Sequence, residues 1–596
     1  MGTEIQNNQF THQNIKPNNN ELVTRVPQWV WAAIPVLLTF FVYCGSFNNG
    51  FVNWDDTTYI QPNPHLHGIS ISNLKWIFTT TYTGNWIPLT WLSLAMDYQI
   101  GGSSLWIYHL DNLFLHCLST FFVFKLIYKI LSLVQNRTNL ESQRLNTNWI
   151  LPSAFFSSLV FGLHPIHVES VVWISDRTDL LSGLLFFICL ITYLEYTEKP
   201  GFKNLKYLFC FIWFLLALFA KSNVVTLPLI FLVIDIWILK RFKANRVMVL
   251  VKKIPFVLTA LMFGIIAIQA KHLNLNSVSN DLSPSYRLMN AFHTVWFYLV
   301  KLIVPTGLVP LYPIVFSKTF SAGYIFSLFT VVGISFGCFA YRKRSPSLMA
   351  AWLFYLITLI PTVGIFHTGY QATADRYLYL PILGPITVLA VVLVRSLEKM
   401  KSVLLLVIIL STVFLSYRTI KQTSIWKNSI TLWENTLMII PNNSAVAYAN
   451  MGDAYLTAGR IDEAFYFFNL AIKRTPGLSA GHDGLGEVLI AQGKLDEAII
   501  EFKQSISIDS KSATPHNDLG KVYAAKVKYD EALVECQEAI RIDPDFAEAY
   551  DNMGNVYGKM SKSDDSITAY RAAVMLEPTN SVYAGHLSTA LALAGK

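Results

Sequence analysis

The chain has 596 residues, too many for one ordinary domain. Apolar residues make up 53% and charged residues 14%, against roughly 25% charged in a typical soluble domain, which excludes a uniformly mixed soluble globule. Charge is divided as well: residues 1–444 hold 32 Lys+Arg and 17 Asp+Glu, a net of +15, while residues 445–596 hold 14 and 21, a net of −7. The basic excess lies in the apolar part, where it reports topology and lipid phosphate rather than nucleic acid.

Residues 1–25, rich in Asn and Gln, are expected to be a disordered cytoplasmic tail. The run from Val26 to Phe47 lacks a small-x-small cleavage site and reads as a retained first span. Further apolar runs long enough to cross a bilayer fall near 105–133, 150–163, 179–197, 205–220, 224–240, 254–271, 324–341, 347–366, 380–396 and 402–418. That makes eleven spans in an all-α bundle over 26–420. A further stretch, 286–304, is read as re-entrant or interfacial. Basic clusters in alternate loops, such as Lys240–Lys243, Arg342–Arg344 and Arg395–Lys401, favour a cytoplasmic N-terminus. This parity puts the first long loop, 48–104, and everything after residue 420 on the non-cytoplasmic side. The six cysteines form no CxxC pair, so neither a disulfide framework nor a zinc site is indicated.

After a linker and half repeat at 421–444, the tail repeats every 34 residues. Gly452, Gly486, Gly520 and Gly554 keep that spacing, as do Ala464, Ala498, Ala532 and Ser566. This is the tetratricopeptide repeat (TPR) pattern, in which small residues let two helices pack closely. The expected repeats are 445–478, 479–512, 513–546 and 547–580, with a capping helix at 581–596, forming an α-solenoid. Its groove is expected to hold an acceptor protein.

Polar groups gather in the non-cytoplasmic loops. Asp55 and Asp56 follow the first span. Adjacent carboxylates are costly unless one is protonated or a cation is near. The pair reads either as a general base with an orienting or divalent-cation-binding partner, or as a solvated turn. Asp97 lies in the same loop. His109, Asn112 and His116 share one helix face and read equally as helix–helix hydrogen bonds or as ligands. His164, His167 and Glu169 suggest a metal, but Pro165 interrupts the helix geometry. Arg177, Lys221 and Arg376 are cations of the kind a lipid phosphate needs; the plainer readings are a snorkelling Lys221 and an Asp375–Arg376 pair.

The strings FVNWDDTTYI (51–60), GNWIPLTWLSLAMDY (84–98), YHLDNLFLHC (108–117), HPIHVESVVWISDRTD (164–179), KSNVVTLP (221–228) and QATADRYLYLP (371–381) occur in this order. Together with the repeat tail they resemble the transmembrane-and-tetratricopeptide-repeat family, especially its prokaryotic members. The resemblance implies a GT-C type glycosyltransferase fold. Eukaryotic relatives are protein O-mannosyltransferases that use dolichyl-phosphate-mannose. It further implies an essential acidic pair at Asp55 and Asp56, carrier phosphate bound by outer-face Lys and Arg, and a plasma-membrane location for a prokaryotic member. One departure is Lys221-Ser222, where eukaryotic members tend to have Lys-Glu. The expected activity is transfer of a mannose-like sugar from a polyprenyl-phosphate carrier to a protein hydroxyl. The competing reading is a membrane-anchored TPR scaffold without catalysis. That reading explains 425–596 but leaves the clustered outer-loop acids, histidines and arginines without a role.

Overall fold

The structure is a computed structural model that describes residues 26–61, 63–142, 148–198, 200–201, 204–274, 283–314, 321–365, 371–441, 444–578 and 580–596. The tail expected at 1–25 lies outside the described residues. Among the described residues, six helices are long and apolar enough to cross a membrane: Gln28–Asn48, Leu105–Asn136, Ile174–Tyr196, Arg246–Lys271, Ala322–Tyr341 and Lys401–Ile425. A seventh crossing arises if Ile150–Leu163 and Pro165–Val172, bent by 45°, count as one span. Four shorter apolar helices, Leu205–Ala220, Ser222–Ile238, Pro346–Leu359 and Leu383–Ser396, occupy the remaining expected positions. The bend is a proline effect: His164 precedes Pro165 and is extended (φ −74°, ψ 126°), as a residue before proline prefers. Helix Pro284–Ile303 is not one of the six. It is amphipathic and carries Arg287, His293 and Lys301.

The segment 48–104, which the sequence shows only as a long loop, folds into short helices. Ser70 caps Ile71–Thr79 by accepting from the Asn73 amide, and Pro88 opens Pro88–Gly101 at a position where its missing N–H costs nothing. These helices enclose a small core of Ile60, Leu66, Ile77, Trp91 and Leu94 that closes against Tyr108 and Ile174. The long loop is therefore a lid-like subdomain packed on the ends of the spans.

The tail forms helix pairs: Ala445–Thr457 with Ile461–Arg474, Ser479–Ala491 with Leu495–Ile508, Thr514–Ala525 with Tyr529–Ile542, and Ala547–Lys559 with Ser563–Leu576, followed by Ser581–Leu593. The recurring glycines have one cause. A Cβ on Gly486, Gly520 or Gly554 would meet Phe502, Cys536 or Tyr570 at 2.7–2.8 Å, so only glycine lets the paired helix approach this closely.

The array docks on the first loop. Trp433, fully buried, donates its indole N–H to the Asn53 side-chain oxygen at 2.7 Å. Asn53 donates in turn to the Asn450 carbonyl at 2.7 Å and to Asp453 at 2.8 Å, both in the first repeat. Its amide reaches Ser429 at 3.0 Å. Trp54 packs edge-on against Trp433 with ring centres 5.4 Å apart, and Gly50 donates to the Lys427 carbonyl. The first loop and the repeats thus lie on one face of the bundle.

Candidate functional site

The two acids at the start of the first loop have different surroundings. Asp56 is buried and begins a π-helical turn, Asp56–Ile60. One of its oxygens accepts from the Ser175 amide at 3.0 Å and from the Ser175 hydroxyl; the other accepts from the Val52 amide at 3.2 Å. Both oxygens are satisfied, and the turn is pinned to the segment between two spans. Asp55 is only part-buried, and among the described residues its carboxylate has no hydrogen bond or ion pair. Desolvation raises its pKa to about 7; Arg376 opposes the rise, while Asp56, Asp176 and Glu169 add to it. A carboxylate so poised can take up a proton near neutral pH.

Arg376 stands beside Asp55, and Lys221 reaches the same group of carboxylates through Asp176. Arg376 forms an ion pair with Glu169, and its amide donates to the other Glu169 oxygen at 2.8 Å. Its guanidinium lies 5.2 Å from the Trp173 ring centre and 5.1 Å from that of Tyr377. The Arg376 segment is positioned by a two-stranded pairing of Tyr312–Pro313 with Gln371–Thr373, and Tyr312 donates its hydroxyl to Asp375 at 2.9 Å. Asp375 therefore bonds a tyrosine rather than its neighbour Arg376. Lys221 sits in an extended break between two apolar helices. It pairs with Asp179 at 2.8 Å and Asp176 at 3.6 Å, so it reaches inward to carboxylates. Asp176 is buried, and among the described residues its second oxygen has no hydrogen-bond partner.

The other sequence candidates bond partners outside this cluster. Arg177 is completely buried. It pairs with Asp97 and, at 3.1 Å, with Asp111. It also donates to the Asn112 side-chain oxygen at 2.7 Å and the Tyr108 carbonyl at 2.9 Å. That arrangement clamps helix Pro88–Gly101 to the spans. His109, His116 and His164 bond the carbonyls of Asn49, Gly162 and Leu302 at 3.1, 3.2 and 3.1 Å, each in a different element. His116 also bonds the Tyr379 hydroxyl at 3.0 Å. His167 lies in an aromatic box with Phe161 and Tyr379 at 4.9 Å, and among the described residues neither of its ring nitrogens has a hydrogen-bond partner. Sequence reasoning did not single out Ser175, Asn53 or Asp179. Their roles depend on tertiary partners and leave no local signal.

Both Asp56 oxygens already accept hydrogen bonds, which leaves the Asp55 carboxylate as the open acid of the pair. Among the described residues, the single group of three His, Cys, Asp or Glu ligands within 4.8 Å of one another is Asp483, Glu487 and Asp518 in the repeats.

Replacing Arg177 leaves the buried Asp97 unpaired and strips the half-buried Asp111 of its partner. Arg177→Ala is expected to cost about 3–5 kcal/mol of stability, read as a lowered thermal midpoint of the purified protein, with any surviving folded fraction retaining its ligand affinity. An unchanged midpoint would remove the clamp role.

Two family models, both described as tetratricopeptide repeats, match the tail: one at residues 486–527 and 528–561, the other at 445–477 and 547–580. The similarity to curated proteins extends well beyond the tail. The chain is 24% identical over 471 residues to protein O-mannosyl-transferase F38B6.6 of Caenorhabditis elegans, covering 74% of this chain and 62% of that protein. It is likewise 24% identical over 500 residues to protein O-mannosyl-transferase TMTC1 of Homo sapiens, covering 73% and 54%. Its homologues are transmembrane, TPR-containing protein O-mannosyl-transferases. The chain spans a little over half the length of these two homologues. A solved thermophilic TPR protein of Thermus thermophilus is similar at 22% identity and a TM-score of 0.26, covering 27% of this chain and 89% of that one.

Proposed function

We propose that this protein is a membrane glycosyltransferase that moves a mannose-like sugar from a polyprenyl-phosphate carrier to a protein hydroxyl on the non-cytoplasmic face. The observation that carries this reading is Asp55: an unpaired carboxylate raised to about 7, fixed by its neighbour Asp56, beside Arg376 and joined through Asp176 to Lys221. Asp55 accepts the proton of the acceptor hydroxyl as that oxygen attacks the anomeric carbon. The bond from the anomeric carbon to the phosphate oxygen breaks, and the electron pair leaves with the carrier phosphate. Lys221 and Arg376 stabilise the leaving charge; their paired carboxylates hold them in place before the donor arrives. Inversion at the anomeric carbon follows from a single displacement.

The sidedness rests on charge. Lys240, Arg344 and Arg395 converge at the mouth of one cavity, formed by the helix ends remote from Asp55, and positive charge favours the cytoplasmic side. The homologues' names support the sugar and the protein acceptor. The TPR array, fastened to the Asp55 loop through Asn53, is positioned to present the acceptor.

The test is transfer of labelled mannose from polyprenyl-phosphate-mannose to a Ser/Thr peptide by the purified full chain. Lys221→Met is expected to lower the rate by about 10²–10³, the scale for loss of one charge-stabilising donor, read on the inserted, folded fraction because Asp176 and Asp179 also lose their partner. Absence of transfer by the unaltered protein, with retained peptide binding, would favour the scaffold.

A further inference from the structure

The cavity bearing those three cations is separate from the Asp55 cluster. It has a volume of about 690 Å³, within the range of about 300–1,000 Å³ typical of small-molecule sites. Its deep walls are apolar, with Leu126, Ile130, Trp237, Phe354 and Val391 among them. Its mouth carries Lys240, Arg344 and Arg395 against one carboxylate, Glu398. All three cations are exposed.

Two features show that the walls are built rather than left over between spans. Residues Ile234–Ile238 form a π-helical turn, a geometry that recurs at functional sites. Ile234, Trp237 and Ile238 line the cavity from this turn, while Asp235 on the same turn is fully buried. Asp235 is held by Lys253, by Arg241 at 3.2 Å and by the Tyr193 hydroxyl. Opposite, Gly384 lets helices Pro346–Leu359 and Leu383–Ser396 touch, since a Cβ there would collide with the Ala351 carbonyl.

We propose that this cavity binds an anionic phospholipid of the leaflet opposite Asp55, its phosphate between Arg344 and Arg395 and an acyl chain along the apolar walls. Basic pockets between membrane helices recognise acidic headgroups in this way. A free phosphate would leave the apolar depth unused, and a neutral lipid would offer Arg344 and Arg395 no anionic headgroup. The site goes beyond the transfer reaction and does not depend on it.

The experiment uses the purified full chain incubated with mixed micelles of phosphatidylglycerol or phosphatidylcholine, with retained lipid read by native mass spectrometry. The unaltered protein is expected to retain phosphatidylglycerol roughly tenfold better. The Arg344→Gln/Arg395→Gln double variant should lose that preference, and Arg344→Lys/Arg395→Lys should restore most of it. Val388→Trp, which fills the cavity, should lower retention of both lipids, with thermal midpoint and size-exclusion profile as folding controls. Equal retention of both lipids by the unaltered protein would overturn the proposal. So would displacement of the lipid by millimolar inorganic phosphate alone. An equal loss of preference in Lys399→Gln/Lys401→Gln, which lies outside the cavity, would show diffuse surface attraction and overturn it too.

Discussion

Asp55→Asn is expected to reduce sugar transfer by about 10²–10⁴, the usual scale for losing a general base, without loss of folded protein. The Asp55 carboxylate holds nothing in place, so an amide of the same shape should leave the loop intact. Asp56→Asn is expected to behave differently. Both Asp56 oxygens accept hydrogen bonds, from Ser175 and from the Val52 amide. An amide nitrogen at either position would face a donor, so this variant should lose stability and activity together. The pH profile separates the roles further. Desolvation puts Asp55 at about 7 rather than 3.8, and a base must be ionised to act. Transfer should therefore rise with pH through about 7 and level off above it, lying about a hundredfold below the plateau two units lower. That limb should vanish in Asp55→Asn. The linkage has the opposite sign: the folded state binds the Asp55 proton more tightly, so Asp55 costs stability as pH rises from about 4 to 7. Asp55→Asn should accordingly be neutral or stabilising above pH 7. Full activity in Asp55→Asn, or an unchanged pH limb, would remove Asp55 from the chemistry.

The contrast between these two acids also marks how far the sequence could be read. The apolar runs and the 34-residue glycine spacing are local signals, and helices stand at each position they indicate. The adjacency of Asp55 and Asp56 was visible too, but nothing local distinguishes them. Their difference is set by Ser175, 119 residues away in sequence. The arginines follow the same logic. Arg177 and Arg376 each sit beside an aspartate in sequence, yet Arg177 is enclosed by Asp97 and Asp111 while Arg376 stands beside Asp55. Histidines placed on one helix face by spacing turn out to reach carbonyls in separate elements, because a buried ring nitrogen bonds whatever backbone acceptor the packing supplies. The loop 48–104 was legible as a long loop carrying polar groups. Its fold was not, since its short helices are stabilised by packing on Tyr108 and Ile174 rather than by their own periodicity.

Removing residues 445–596 is expected to raise the apparent KM for a protein acceptor by about 10²–10⁴, the gain that tethering a second binding element can give. Transfer to a short free peptide should change far less. The physical basis is the contact between the array and the Asp55 loop: Asn53, two residues before Asp55, bonds Asp453 and the Asn450 carbonyl of the first repeat. From Asp453 the same face continues through Asp483, Glu487 and Asp518, whose carboxylates lie within 4.8 Å of one another across two repeats. Lys521 then ties Asp518 at 2.6 Å to Glu548 of the fourth repeat at 2.9 Å. An extended acceptor along this face would run towards Asp55 over a surface dominated by carboxylates. Acceptors with Lys or Arg in the anchoring segment should therefore be the most sensitive to truncation and to added salt. Trp433 and Ser429 precede the cut and still hold Asn53, so the loop keeps its anchor and the catalytic rate for the short peptide reports on the chemistry alone. Equal loss for both acceptors in a correctly inserted truncation would mean that the array supports the catalytic fold itself, and presentation of the acceptor would be the wrong account of the repeats.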